Sequence, residues 1–384
     1  MTMTVGYSNA LQMRLSEKFW QVNWSIILLL CLAAAVGVAM LYSAANGSWE
    51  PWAARQAIRF AVGMVVLLSV AVVDIRFWLR YAYVFYFLSL FLLAVVEVMG
   101  ITGMGAQRWL DLGLFQLQPS EIMKVTLVLA LARYFHGIDF EDVWKFTYLI
   151  VPLALILAPV ALILRQPDLG TAIMLVLGGG ALFLLAGVRL WKLTFLFFGM
   201  LAVIPVGWHF LHTYQKKRLL VFLDPESDPL GTGYHIIQSK IALGSGGIFG
   251  KGFLKGSQSQ LNFLPEKQTD FIFTMLAEEF GLVGGLGLIG IYLLLVTYGF
   301  SIALQSRSQF GRLAALGLTT TFFLYFFINI AMVTGLIPVV GVPLPLVSYG
   351  GTAMLTLMFS FGIIMGVYVH RDLSIGRRWA SQVA

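Results

Sequence analysis

A polytopic, all-α membrane protein is what this chain predicts, on three observations. Hydrophobic residues fill 59% of its 384 positions and charged ones only 11%, far from the balance of a soluble domain. The mean hydropathy is +0.86. The apolar residues also gather into about ten runs of spanning length, for which roughly 20 residues suffice. In lipid a backbone must satisfy its own polar groups, which selects helices over open strands.

Taken in order, residues 1–23 form a cytoplasmic amphipathic segment: Leu11, Leu15, Phe19 and Val22 recur at helical spacing beside Arg14 and Lys18. No short apolar region with a small-residue cleavage site precedes the first run, so a cleaved signal is not expected. Transmembrane helices 1–7 occupy 24–213, with runs at 24–44, 57–73, 81–99, 119–135, 146–164, 171–188 and 193–212. A large loop takes 214–270. Helices 8–10 fill 271–369, with runs at 271–300, 313–335 and 346–369, and 370–384 is a cytoplasmic tail. Trp20, Trp24, Trp144 and Trp191 stand at run edges, as interfacial aromatic residues do. Cys31 lies in the first run with no partner for a disulfide and is expected as a small buried residue.

Charge sets the orientation. Arg14, Lys18, Arg76, Arg80, Arg133, Lys145, Arg189, Lys192, Arg307, Arg312, Arg371, Arg377 and Arg378 fall on one side of the runs. The short loops opposite carry Arg55, Arg59, Arg108 and Arg165. Positive loops stay inside, so both termini are expected in the cytoplasm and the 214–270 loop in the periplasm. That loop is nonetheless basic, and the net charge is +7. Anionic lipid or phosphate fits such a balance, whereas nucleic acid does not fit charges arranged around a membrane.

Several polar stretches stand out from the apolar background. Asp270 closes the large loop at the mouth of the eighth run, wet enough to ionise and shielded enough to act as a base; capping the following helix is the other reading. After the third run comes GAQRWLDLGLFQLQPSEIMK, in which Pro119, Ser120 and Glu121 suit a helix start. Lys124 falls more than a turn deeper, where it either faces a polar cavity, pairs with Glu121 or snorkels. In RQPDLGTA, Asp168 can pair with Arg165, cap the sixth helix or meet a ligand. Residues 233–243, with Ile236, Ile237 and Ile241 on a face interrupted by Lys240, read as a short helix lying against the membrane. GSGGIFGKGFLKGSQSQ follows; glycines that admit an anion to backbone amides, with two lysines, suggest a phosphate or pyrophosphate cradle. The nucleotide pattern GxxxxGK[ST] is absent.

Glu278 and Glu279 are intramembrane carboxylates, functional by default unless paired with a neighbouring cation. The last loop, GLIPVVGVPLPLVSYGGTA, has no charge but three prolines, and such irregular backbone is tolerated at membrane depth where it lines a cavity. Ser348 and Tyr349 offer hydroxyls there. His136, His209, His212, His235 and His370 lack metal-ligand spacing, so no metal site is proposed.

The stretches GAQRWLDLG, QPSEIMK, RQPDLGTA, DPESDPLGTGYHIIQSKIALGSGGIFGKG, FLPEKQTDFIF and PVVGVPLPLVSYGG resemble the SEDS family, the shape, elongation, division and sporulation proteins of bacteria. The resemblance runs from the first span to the last. DPESDPLG and KGSQSQLNFLPE bring it nearer the RodA elongation branch than the FtsW division branch. It implies a ten-span peptidoglycan glycosyltransferase of the inner membrane that polymerises lipid II into β-1,4 glycan. A class B penicillin-binding protein transpeptidase and membrane lipids would be its partners. The family's catalytic acid falls on Asp270 in TDFIF, and Arg108, Lys124, Asp168 and Lys240 match its substrate-lining positions. Glu121 and Ser348 complete the candidate substrate-binding set. The position before Thr269, commonly His in the family, is Gln268, so no imidazole role carries over. A divalent cation, magnesium or manganese, is a possible aid to the leaving diphosphate, and no other cofactor is implied. A lipid II flippase and a noncatalytic scaffold of the elongation machinery are the alternatives. The polar residues gather on one side of the membrane, which favours chemistry at one face over passage through both.

Overall fold

The structure, a computed structural model, describes residues 14–103, 106–111, 113, 116–139, 141, 143, 145–166, 168–189, 232–257 and 266–376, with isolated positions between 191 and 224. The seventh expected run falls almost wholly outside these residues. So do Trp144, His209, His212 and the acidic turn 225–229, together with 1–13 and 377–384.

Among the described residues, a short helix α1 (Leu15–Trp20) leads into α2 (Trp24–Ala44), α3 (Ala53–Ala71) and α4 (Ile75–Met99). Strands β1 (Ile101–Gly103), β2 (Ala106–Asp111) and β3 (Gln116–Leu117) follow, then α5 (Pro119–His136), α6 (Thr147–Arg165) and α7 (Leu169–Leu185). Beyond them lie α8 (Thr232–Ser245), α9 (Ile272–Gln305), α10 (Gln309–Val333) and α11 (Gly351–Val369). Seven of these, α2, α3, α4, α6, α9, α10 and α11, are long and apolar enough to cross a membrane. α5 carries Glu121, Lys124 and Arg133, and α7 has 17 residues. Among the described residues, these nine helices answer to nine of the expected runs.

Helix starts precede the apolar runs where polar residues belong to the first turns. α3 begins at Ala53 and so takes in Arg55 and Arg59. α4 begins at Ile75 because Asp74 caps it, its carboxylate accepting from the Arg76 amide at 2.8 Å. Pro119 occupies the first turn of α5, where its missing N–H costs nothing.

The chain is mostly helical, as expected, with one short sheet added. The segment after α4 folds into a three-stranded antiparallel meander, β1-β2-β3, with Leu110 opposite Leu117 and Ile101 opposite Trp109. The polar loop thereby holds Arg108 on a paired strand.

α10 and α11 form the interior, each 72% buried over its most apolar stretch, whereas α2, α3, α4 and α6 reach only 28–39% and present their remaining faces outward. α3 packs along α11, α4 along α5, and α9 lies between α2 and α10. Cys31 is exposed rather than buried. It lines an apolar groove of about 560 Å³ between α2 and α3, closed at one end by Tyr42, Trp49 and Phe253. α8 is the short helix expected at 233–243; it docks on the bundle through Ser239, whose hydroxyl donates to the Val333 carbonyl (2.8 Å) and bonds Thr274 (2.9 Å), and leaves Ile241 exposed.

Candidate active site

The loop 334–350, between α10 and α11, is where separate parts of the chain converge. Pro338, Pro343 and Pro345 deny it a helical ladder, so its carbonyls and amides turn to neighbours. Lys240 of α8 lies beside Gly335: a Cβ built on that glycine would sit 2.9 Å from Nζ. The Asp270 carboxylate lies beside Gly341, with Oδ2 3.4 Å from the same construction. Gly170, two residues beyond Asp168, abuts the Val340 carbonyl.

Asp270 sits on a segment held at three consecutive residues. The Ser348 hydroxyl donates to the Thr269 carbonyl at 2.6 Å, and the Tyr349 amide donates to the Gln268 carbonyl at 2.8 Å. The Asn329 amide, on α10 and fully buried, donates both to the Asp270 carbonyl (2.9 Å) and to the Val342 carbonyl (2.7 Å). Backbone groups in such a place cost a few kcal/mol if left unpaired, so these bonds fix where the carboxylate stands. The capping alternative does not describe the helix: the cap position of α9 is Phe271, with no capping side chain, and Asp270 precedes it. Asp270 itself is partly exposed. Close by, burial holds the Lys267 ammonium below the usual lysine range.

The remaining candidates separate by exposure. Lys240 is exposed and the Arg108 side chain is 27% exposed, so both can meet a solute. Glu121, Lys124, Asp168 and Ser348 are each buried to 3–4% exposure. In this structure the polar atoms of these four engage other groups of the protein. Lys124 pairs with Glu121 rather than snorkelling: its ammonium donates to Glu121 at 2.7 Å and to the Tyr325 hydroxyl, which also donates to Glu121. Asp168 caps α7, accepting from the Thr171 amide (3.1 Å) and hydroxyl (2.9 Å). Its ion pair is with Arg108 Nε at 3.8 Å, not with Arg165, which meets Glu97 instead. Ser348 accepts from the Leu344 amide at 2.7 Å while donating to Thr269.

The glycine-rich stretch is the largest correction. Its amides do not form an open cradle: those of Gly250, Lys251 and Gly252 donate to the carbonyls of Gly246, Glu278 and Glu279 at 2.8–3.0 Å. In return the amides of Leu282 and Val283 donate to Gly247 and Ile248 at 3.0 and 3.1 Å. The loop therefore pairs with a break in α9 at Gly281, where φ is +66° and ψ −161°. A Cβ on Gly281 would lie 2.4 Å from the Gly250 nitrogen, so glycine serves close backbone approach here rather than anion binding. The lysine is used as well. Lys251 donates to the fully buried Glu278 at 2.7 Å, and Ser257 reaches the same oxygen at 3.2 Å. Glu279 accepts from the Ser43 hydroxyl and from the Leu254 amide.

Asn329, Tyr325 and Gln56 do much of the positioning and were not singled out from the sequence. Tyr325 and Asn329 sit four residues apart inside an apolar run, hence on one helix face. That spacing was the available signal.

Comparison with known proteins finds relatives over nearly the whole chain. Residues 23–373 match the model of the FtsW/RodA/SpoVE family, described as cell cycle proteins. The chain is 46% identical over 349 residues to the peptidoglycan glycosyltransferase MrdB of Escherichia coli K12, covering 90% of this chain and 94% of that one. It is 33% identical over 355 residues to stage V sporulation protein E of Bacillus subtilis, covering 89% and 95%. Among solved structures it resembles a chain of a peptidoglycan synthase complex described as coordinating polymerization and crosslinking, with a TM-score of 0.78, 33% identity and 91% and 98% of the two chains covered. It also resembles the rod-shape-determining protein RodA of Thermus thermophilus, with a TM-score of 0.69, 28% identity and 91% and 97% covered.

Proposed function

The chain belongs to the FtsW/RodA/SpoVE family of cell cycle proteins, and on that premise we propose how it works as a peptidoglycan glycosyltransferase of the elongation type. The donor is lipid II, a disaccharide peptide joined through its MurNAc anomeric carbon to undecaprenyl diphosphate. The acceptor is the GlcNAc 4-hydroxyl of a second lipid-linked glycan. A sugar hydroxyl is a poor nucleophile at neutral pH, so a base must take its proton as the new bond forms; such help is worth about 10²–10⁴-fold. Asp270 is that base. The 4-oxygen bonds to the anomeric carbon, the bond from that carbon to the diphosphate breaks, and the proton ends on Asp270. Attack opposite the leaving group turns the α-linked donor into a β-1,4 bond.

The observation that carries this reading is the pairing of a partly exposed carboxylate with a segment pinned at Gln268, Thr269 and Asp270. Proton transfer needs heavy atoms within about 2.6–3.2 Å, and a clamped segment holds the base where a sugar can approach it. Arg108 and Lys240, the accessible cations of the candidate set, stabilise charge as it grows on the departing diphosphate. Among the described residues no three acidic, histidine or cysteine side chains come together to cage a metal. A magnesium or manganese ion would thus depend on diphosphate oxygens with Asp270, and no step is assigned to it. The apolar groove beside Cys31 suits a prenyl chain. Charge asymmetry turns this end of the bundle toward the periplasm, where a class B penicillin-binding protein would crosslink the strands.

The test is lipid II polymerisation by purified Asp270→Asn. The folded variant should bind lipid II and yield no glycan. Wild-type yield and length from that variant would remove the base from the mechanism.

A further inference from the structure

Arg59 is a charged residue beside the site that the mechanism above does not use. It lies in the second turn of α3, one face with Gln56, whose amide donates to the carbonyls of Ser348 (2.9 Å) and Leu346 (3.4 Å) and so fixes α3 against the 334–350 loop. The Arg59 guanidinium stacks over the Tyr349 ring, 4.6 Å from its centre. Tyr349 in turn holds Gln268 through its amide, so the cation stands two contacts from the Asp270 segment. Arg59 Nη1 is buried and makes no hydrogen bond, and no carboxylate pairs with this arginine among the described residues.

Its surroundings make that state costly. The guanidinium lies against Gly351, the first residue of α11, where a built Cβ would be 3.1 Å from Nε. The cap residue Gly350 has no side chain to satisfy the first amides of this 19-residue helix. A cation therefore lies beside the positive end of a helix dipole, an arrangement that repels unless an anion neutralises the two together. A phosphate there would take paired hydrogen bonds from the guanidinium, which suits phosphate geometry.

We propose that Arg59 binds a phosphate group of a lipid at this face, the diphosphate of the lipid-linked donor being the occupant its closeness to Asp270 favours. That occupant rests on the function proposed above, whereas the phosphate site itself does not. Lys240 lies beside Gly335 at one end of the loop and Arg59 beside Tyr349 at the other.

The experiment measures binding of undecaprenyl diphosphate, which carries no sugar, to purified protein in nanodiscs of phosphatidylcholine. Arg59→Met and Arg59→Lys are compared with wild type, each also in the Asp270→Asn background. Arg59→Met should weaken binding about tenfold or more, as losing a charged hydrogen bond does. It should raise KM for lipid II by a similar factor with little change in kcat, and Arg59→Lys should recover part of both. A thermal midpoint near that of wild type separates this outcome from unfolding. A second arm measures retention of phosphatidylglycerol. If only that retention depends on Arg59, the phosphate site stands and its occupant is a phospholipid headgroup. If Arg59→Met matches wild type in both arms, the proposal is wrong. Binding is read without turnover, so a wild type that makes no glycan would fail the proposed function while leaving Arg59-dependent binding intact.

Discussion

The two parts of α9 on either side of Gly281 share one apolar run in the sequence and behave as different objects. Before the break, every residue from Ile272 to Glu279 is buried, two carboxylates included, and the segment begins two residues after Asp270. After it, Leu282, Val283, Leu286, Leu293, Leu294 and Leu304 are exposed, as befits a face in contact with lipid. The first part is a platform gripped at one end by Asn329, Ser348 and Tyr349 and at the other by the glycine-rich loop. The second is an anchor. Hydropathy measures how apolar a stretch is and says nothing of what it packs against, so it cannot distinguish them.

Substitutions should therefore cost most at the contacts of the first part and least on the exposed face of the second, whose other face buries Leu288, Tyr292 and Leu295. The largest effect is expected from Lys251→Met, which leaves the Glu278 carboxylate buried without its cation. Removing one member of a buried pair costs about 3–5 kcal/mol, lessened here because Lys251 is 30% exposed. Thermal unfolding in detergent should show it, and Ser257→Ala should lose far less. Next comes Gly281→Ala: a methyl group 2.4 Å from backbone atoms at a positive φ must dislodge the docked loop. Its cost is about 1–3 kcal/mol for the strained conformation alone. Asn329→Ala deprives two carbonyls of their donor, for about 1–3 kcal/mol, and should lower kcat more than it raises KM because it loosens the proposed base rather than a binding contact. The smallest effect has the opposite sign. Gly287 lies in the second part with nothing within 4 Å of a built Cβ, so Gly287→Ala should stabilise by about 0.5–1 kcal/mol. Destabilisation by that variant would break the contrast between the two parts.

What the sequence disclosed follows the same division. Spans were legible wherever apolar residues alone determine the helix, as at Trp24–Ala44, which the structure reproduces. Helix starts containing Arg55, Arg59 or Arg76 were not, because polar residues end a hydropathy run without ending the backbone. The glycine-rich loop misled for a definite reason: glycine suits an anion cradle and a close backbone contact equally, and only the partner decides. Glu121 with Lys124 was readable from i,i+3 spacing, and the structure pairs them. Their burial with Tyr325, 201 residues beyond Lys124, was not. Asp270 stood out by its place between loop and span, while the bonds that clamp it come from residues more than 50 positions away.

The most direct measurement concerns which way Asp270 faces. Cys31 is the one cysteine of the chain, so Asp270→Cys in a Cys31→Ser background carries a single thiol at the site. In oriented proteoliposomes an impermeant maleimide should label it from the periplasmic side, and lipid II should protect it. Labelling from the cytoplasmic side alone, or labelling that saturating lipid II leaves unchanged, would contradict a base that works on substrate at the outer face.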